Sequence, residues 1–372
     1  EDKHMSLGKV QVNNLNLGQG DIQGVERHFL FVGRAGSVDE ESQLFSIGAK
    51  TDLEKTFADS PLRDQLIAAQ LNAGQNWTAA VYPMAELETI VDAIDRANEV
   101  QSFEMVVVCA EQTASAELTD IHDHLTSLQA TLGRFVSALV AVPGIDAATQ
   151  TWPTYEAATI ALQADIAAHL VVPVPQLHGN NVGVLAGRLC DRSVSIADSP
   201  MRVATGSVLG LGAAPVDREN EPLSLATLET LANKRMSVPQ WYSDFEGVYW
   251  SDAQTLDAAG GDYQYLEHLR PVHKASREVR VLAIRRVANR ALNSTPNSIE
   301  LNKSYFMKPL RAMSKSTTIL GTQFPGDIKP PVEGDVTIVW TTNKAVVIYL
   351  VVRPYNSPKE ITVNIMLDLS SN

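Results

Sequence analysis

Phe103-Glu-Met-Val-Val-Val-Cys-Ala110 and Phe135-Val-Ser-Ala-Leu-Val-Ala-Val142 are two runs in which almost every side chain is apolar. A strand that presents apolar groups at odd and even positions alike is buried on both faces, as strands of parallel sheets are. Between the two runs, residues 117–132 have the length and spacing of a helix, and the alternation continues in both directions. Upstream lie a strand at 77–82 and a helix at 86–97; downstream lie a helix at 155–168 and a short apolar run at 170–174. Further upstream, 25–32 (VERHFLFV) reads as a strand ending at Gly33, and 52–58 and 61–71 read as helices. Ser60 is placed to cap the second, with Pro61 at its first position. Strands alternating with helices predict a parallel sheet covered on both sides.

Past residue 190 the pattern loosens. There is a Gly-rich stretch at 206–212, a helix near 223–234, an aromatic-rich hairpin candidate at 241–250, and a long helix at 267–292 with Pro271 expected in its first turn. A second helix is expected at 298–314. Residues 334–340 and 345–352 then read as strands. After the spacer Arg353-Pro-Tyr-Asn-Ser-Pro358, a third strand is expected at 361–369, where the apolar side chains Ile361, Val363, Ile365, Leu367 and Leu369 alternate with polar ones. At the other end Val10, Val12, Leu15 and Leu17 give a similar strand-like segment before Gly18-Gln-Gly20. Two strand-like ends outside the main body suggest a chain that links to copies of itself.

Composition narrows the class. The 372 residues are 45% hydrophobic and 20% charged, enough for two or more domains with their own cores. No apolar run is long enough to span a bilayer, so no membrane anchor is expected. Residues 1–5 look like an expression-tag remnant ahead of Met5, and no signal peptide follows it. Cys109 and Cys190 are too few for a disulfide framework or a zinc site, which suits an intracellular place of synthesis. The net charge of −13 conceals an asymmetry: residues 270–315 hold 11 bases against Glu278 and Glu300, while residues 1–269 hold 36 acids against 15 bases. One basic segment in an acidic chain marks a place for a negatively charged surface to dock.

Candidate chemistry is sparse. Cys109 closes an apolar strand, where nucleophiles of αβ enzymes often sit, with His122 and His124 on the next helix; nothing orients either histidine onto the thiol, and a small buried hydrophobe is the plainer reading. In Asp120-Ile-His122-Asp123-His124 the histidines are two apart and point to different sides, so they do not share a metal, whereas Asp120 and His124 could pair. Gly18-Gln-Gly20 and Gly210-Leu-Gly212 lack the full spacing of a nucleotide loop and read as turn or packing glycines. No catalytic residue, cofactor or metal is expected. Lys308, Arg311 and Lys315 follow one another at spacings of three and four, on one face, with Tyr305, Phe306, Leu310 and Met313 towards the body. That basic ridge suits an acidic protein partner better than nucleic acid.

With these residues in view, the chain resembles the contractile tail sheath proteins of bacteriophages and of phage-derived particles such as R-type pyocins. The start, Leu7-Gly-Lys-Val-Gln-Val-Asn-Asn-Leu15, looks most like sheath proteins of Mu-like prophages, and Val351-Val-Arg-Pro354 before Glu360-Ile-Thr-Val-Asn-Ile365 like the family's C-terminal pattern. The resemblance implies an α/β plus α+β architecture. Residues 6–22 and 355–372 would be β arms exchanged between neighbouring subunits, 23–254 an outward αβ body with a mostly parallel sheet, and 255–354 a helix-plus-sheet inner domain. It implies hexameric rings stacked around an inner tail tube, with Lys303, Lys308, Arg311 and Lys315 facing that tube. Baseplate and tail terminator proteins would be further partners, assembly would take place in the host cytoplasm, and contraction would drive the tube into a target cell. The Thr-Thr-Ile-Leu-Gly stretch ending at Gly321 is more polar than the family pattern. The competing expectations are an αβ enzyme with its site near Cys109 and His122, and a nucleic-acid-binding protein using 270–315.

Overall fold

A computed structural model of the chain describes residues 24–34 and 42–365. The expected alternation is present as β1 (Phe29–Arg34), β2 (Phe45–Gly48), α1 (Leu53–Thr56), α2 (Pro61–Ala73), β3 (Thr78–Met84), α3 (Ile90–Val100), β4 (Met105–Val108), α4 (Ser115–Leu132), β5 (Ser137–Val142), α5 (Trp152–Leu162), β6 (Val171–Pro175) and α6 (Asn181–Cys190). The strands form one sheet in the order β2-β3-β1-β4-β5-β6, parallel throughout except for β2, which runs antiparallel along β3 at one edge. Helices α2 and α6 cover one face, and α3 and α4 the other. β4 and β5 are buried along their whole length, as their unbroken apolar runs require. Ser60 caps α2, its hydroxyl oxygen accepting from the Arg63 amide, and Pro61 opens the helix.

Two elements escape the periodic pattern. β2 is four residues long, too short to show a period. All ten residues of α6 are buried, so it has no polar face to betray a helix. Its Gly183 and Gly187 are needed because α2 lies against them: a Cβ would fall 2.2 Å from the Gln65 carbonyl oxygen at the first and 2.4 Å from that of Ala69 at the second.

After α7 (Leu225–Asn233), the aromatic hairpin appears as β7 (Pro239–Tyr242) and β8 (Phe245–Trp250). A second core follows, built from α8 (Leu266–Ile284), α9 (Pro296–Phe306), α10 (Lys308–Met313) and the hairpin β11 (Val336–Trp340) and β12 (Val346–Leu350), while a further hairpin, β9 (Thr317–Ile319) and β10 (Thr322–Phe324), lies between α10 and β11 in the chain. Ala275, Val279, Phe306, Leu310, Met313, Val336 and Ile338 are at its centre. Helix α8 belongs to both cores: Leu266 and Leu269 pack in the body, Ala275 and Val279 in the smaller cluster.

Three expectations are corrected here. Pro271 is the sixth residue of α8, not in its first turn, because the helix starts at the buried Leu266, whose amide donates to the Ala253 carbonyl. The helix stops at Ile284 rather than 292: i→i+3 bonds take over at Arg286 and Val287, and Ala288 adopts a positive φ of 56°. The single helix at 298–314 is two, broken at Met307 so that Pro309 sits near the start of α10, where its missing amide removes no helical bond.

Two stability predictions follow from this packing. Gly187→Ala should lower the unfolding free energy by about 1–3 kcal/mol in urea titration, since α2 must shift to admit the methyl. Leu320, at φ 47° in the two-residue turn of the β9–β10 hairpin and 88% exposed, gives up conformational energy and gains no burial. Leu320→Asn should therefore raise stability, by on the order of 1 kcal/mol in the same measurement.

Candidate assembly surface

The end of the sheet where an αβ enzyme would keep its site holds an open cavity of about 390 Å³ beside Arg34, Leu62, Cys109, Glu111 and Gln176. Strand order reverses there, between β1 and β4. The donors that could hold an anion are already occupied: the Gln65 side-chain oxygen accepts from the Gly183 amide (2.7 Å), the Gln176 oxygen accepts from the Val182 amide (3.4 Å), and the Gln65 amide donates to the Gln176 oxygen (3.0 Å). Cys109 is buried, which pushes its thiol far above the usual range and leaves it un-ionised. His122 does not approach it, packing instead on His169 (centroids 4.9 Å apart), which stacks on Tyr263. His124 pairs with Asp95 on α3 (2.9 Å), not with Asp120. Among the described residues no group of three or more His, Cys, Asp or Glu is arranged for a metal, and no helix is long and apolar enough to cross a membrane. Gly212 is a packing glycine, since a Cβ there would meet the His178 carbonyl oxygen at 2.0 Å; Gly18 and Gly20 lie outside the described residues.

The basic segment divides into two populations. Arg270, Lys274 and Arg277 share one face of α8 and are engaged within the molecule. Arg270 is buried and donates to both oxygens of buried Glu104 (2.7 and 3.0 Å) and to the Leu189 carbonyl (3.2 Å). The Arg27 amide donates to the same carboxylate. Arg277 donates to Glu26 and to the Phe135 carbonyl, and Lys274 to Asp327, which also accepts from Ser195. These bonds form a seam that fixes α8 to the body. Burial opposes ionisation of Glu104, but the guanidinium of Arg270 outweighs it and holds the carboxyl below its ordinary value. Burial, reinforced by Arg277, pushes His273 down to about 3.

The second population faces outward. Lys308, Arg311 and Lys315 are exposed, whereas Lys303 is half-buried and paired with Glu300 (2.6 Å). Tyr305 organises this surface: Arg286 lies 4.0 Å above its ring and Lys308 5.4 Å from it. Arg286 was invisible as a ridge member in the sequence, because it comes from α8's end and meets α9 only through the fold.

The β11–β12 hairpin is a two-stranded sheet whose outer edges carry no further strand among the described residues. One face, Val336, Ile338, Ile348 and Leu350, closes the small core; the other presents Val339, Val347 and Tyr349 to solvent. Beyond it the chain is extended. Of the strand expected at 361–369, the described residues 361–365 form no strand and do not pair with the hairpin, and Ile361, Val363 and Ile365 are 73%, 73% and 90% exposed. A period-2 strand buries its apolar face only once a sheet edge receives it. Leu367, and Val10, Val12 and Leu15 of the N-terminal segment, lie outside the described residues.

The N-terminal domain of the DUF2586 family matches residues 7–254, and its C-terminal domain matches residues 262–370. The chain is 45% identical over 371 residues to a protein assigned as the tail sheath protein of Haemophilus phage HP1 (strain HP1c1), covering 97% of this chain and 98% of that one. In fold it resembles the helical sheath of the anti-feeding prophage in its contracted state, with a TM-score of 0.62 at 12% identity over 98% of this chain and 99% of that one. It also resembles the sheath tail protein of Listeria innocua, with a TM-score of 0.56 at 12% identity over 91% and 94%.

The seam generates a paired test. Glu104→Gln leaves Arg270 buried without its counter-charge and should cost about 3–5 kcal/mol, while a double Glu104→Met, Arg270→Met variant should recover most of that loss in chemical denaturation. Glu104 and His273 both titrate below their ordinary values in the folded chain, so the stability they supply is present above those values and lost as pH falls. Melting curves should therefore fall from pH ~6.5 downwards less steeply in His273→Gln than in the parent.

Proposed function

The chain belongs to the DUF2586 family and is a contractile tail sheath protein, a structural component of the virion tail and not an enzyme; from that premise we propose that it polymerises by exchanging terminal arm strands and grips the inner tube through the α10 ridge. One observation carries the reading. A two-stranded hairpin whose outer edges carry no further strand among the described residues is followed by a segment, 361–365, whose apolar side chains alternate and are exposed. Each half is incomplete, and a neighbouring copy supplies what is missing by strand addition. Residues 6–22 and 355–372 are the arms, and 255–354 is the inner domain that receives them. Ile361, Val363, Ile365 and Leu367 of one subunit, with Val10, Val12 and Leu15 of another, extend the β11–β12 sheet.

A strand of about nine residues adds several backbone hydrogen bonds, each worth roughly 0.5–1.5 kcal/mol net, together with its apolar face. Two such links per subunit hold the lattice by avidity while the arms act as hinges. Lys308, Arg311 and Lys315 face an acidic tube surface, with Lys303 at the margin of the ridge. Exposed pairs of this kind are worth about 0–1 kcal/mol each, weak enough to part as the sheath shortens. Subunits assemble in the host cytoplasm as hexameric rings between a baseplate and a tail terminator, and contraction draws on free energy stored at assembly.

Negative-stain electron microscopy of the intact chain should show tubes or stacked rings, and a chain lacking 1–22 and 360–372 should give single particles; polymers from the trimmed chain would overturn arm exchange. Reversing the ridge (Lys308→Glu, Arg311→Glu, Lys315→Glu) should leave polymerisation intact and abolish co-sedimentation with purified tube at physiological salt. Undiminished co-sedimentation would remove the ridge from the tube interface.

A further inference from the structure

The root of the C-terminal arm is tied down twice. At the hairpin's end, Arg353 pairs with buried Asp335, the Lys329 amide donates to the Arg353 carbonyl (2.7 Å) and the Val351 amide to the Asp335 carbonyl (2.9 Å). Residues 355–358 then run exposed, and at Lys359 the chain is held again. The Lys359 ammonium donates to Asp252 and lies 2.6 Å from Glu267 Oε1, with the Tyr265 ring 3.6 Å from it. Both carboxylates are buried, Asp252 retaining 5% and Glu267 3% of their exposure, and Asp252 also accepts from the Ser199 hydroxyl (2.9 Å).

This socket lies between the segment just after β8 and the first turn of α8. Two buried carboxylates facing each other repel, and neither oxygen of Glu267 accepts an aligned hydrogen bond from another described residue. The site is balanced only when a cation from the arm fills it. Burial, then the neighbouring Asp252 charge, pushes the Glu267 carboxyl up to about 7 even with Lys359 in place. Immediately beyond, residues 360–365 are exposed and belong to no strand or helix.

We propose that Lys359 is the positioning residue of the C-terminal arm: its insertion between Asp252 and Glu267 sets the point and direction at which the exchanged strand departs. The inference rests on the arm-exchange reading and deepens it. Because Ser357 precedes Pro358, its backbone is confined to extended conformations, and the stretch from Arg353 to Lys359 behaves as a short strap. The anchor confines the strand near its target edge before pairing, so less conformational freedom is lost on exchange.

The test uses the full chain below its assembly concentration and a glutamate-specific protease, following cleavage after Glu360 by mass spectrometry. Lys359→Met should release the anchored side of that exposed bond, letting the backbone enter the protease cleft and speeding cleavage at least tenfold, whereas Lys359→Arg should stay within about twofold of the parent. Since Lys359→Met alone leaves two buried carboxylates unbalanced, an uncharged socket (Asp252→Asn, Glu267→Gln, Lys359→Met) supplies a folded reference and should show the same acceleration. Equal cleavage rates in the parent and the uncharged-socket variant overturn the anchor.

Assembly provides the second readout. The uncharged-socket chain should still form tubes in the electron microscope, but only at a several-fold higher concentration. If it polymerises at the parent's concentration while a chain lacking 360–372 does not, arm exchange stands and the positioning role falls. If the chain lacking 360–372 polymerises normally, arm exchange falls, and the cleavage rates still decide whether Lys359 anchors the segment.

Discussion

The ion pair between Arg270 and Glu104 is the constraint on which the rest of the molecule hangs. Both groups are fully desolvated, so neither tolerates the absence of the other, and their bidentate geometry permits one placement of α8 on the sheet. The second core is built on that helix. The direction of the ridge on α10 and the position of the β11–β12 hairpin are inherited from it. Such a pair adds little net stability over a well-packed apolar substitute; what it supplies is a single orientation. A subunit that must match its neighbours repeatedly along a lattice needs that orientation more than extra stability.

Much of the body was legible because its physics is local. β4 and β5 are continuous apolar runs, α2 carries its own start signals in Ser60 and Pro61, and the aromatic hairpin shows in composition alone. What was hidden depended on tertiary surroundings. α6 is buried all round and punctuated by glycines, so it looks like a loop until α2 is set against it. The break at Met307 was foreshadowed by Pro309. The basic segment was seen as one feature, yet on α8 the face at 270, 274 and 277 turns inward and binds Glu104, Asp327 and Glu26, partners scattered across the chain. Helical spacing put Lys308, Arg311 and Lys315 on one helix face, and all three are exposed, but Lys315 lies past the end of α10; Arg286 could not be read from the sequence because it arrives through Tyr305.

The same distinction explains the cysteine and histidines. The body has the strand order and open cavity of a ligand-binding αβ protein, but the amides at the start of α6 are satisfied by Gln65 and Gln176, and burial keeps the Cys109 thiol un-ionised. An architecture suited to chemistry has here been given packing residues at its switch point. The cavity is a property of the fold.

A helix shared between two cores also has a mechanical meaning. At 19 residues α8 is a rod about 28 Å long, clamped along one side by Arg270, Lys274 and Arg277. Torque applied at the hairpin is delivered to the body with little compliance at the joint, because bending there would first have to tear buried charges apart. If neighbouring subunits are linked as proposed, strain passes from one to the next instead of dissipating inside each, and a disturbance begun at one end of a column of such subunits can travel its length as a wave.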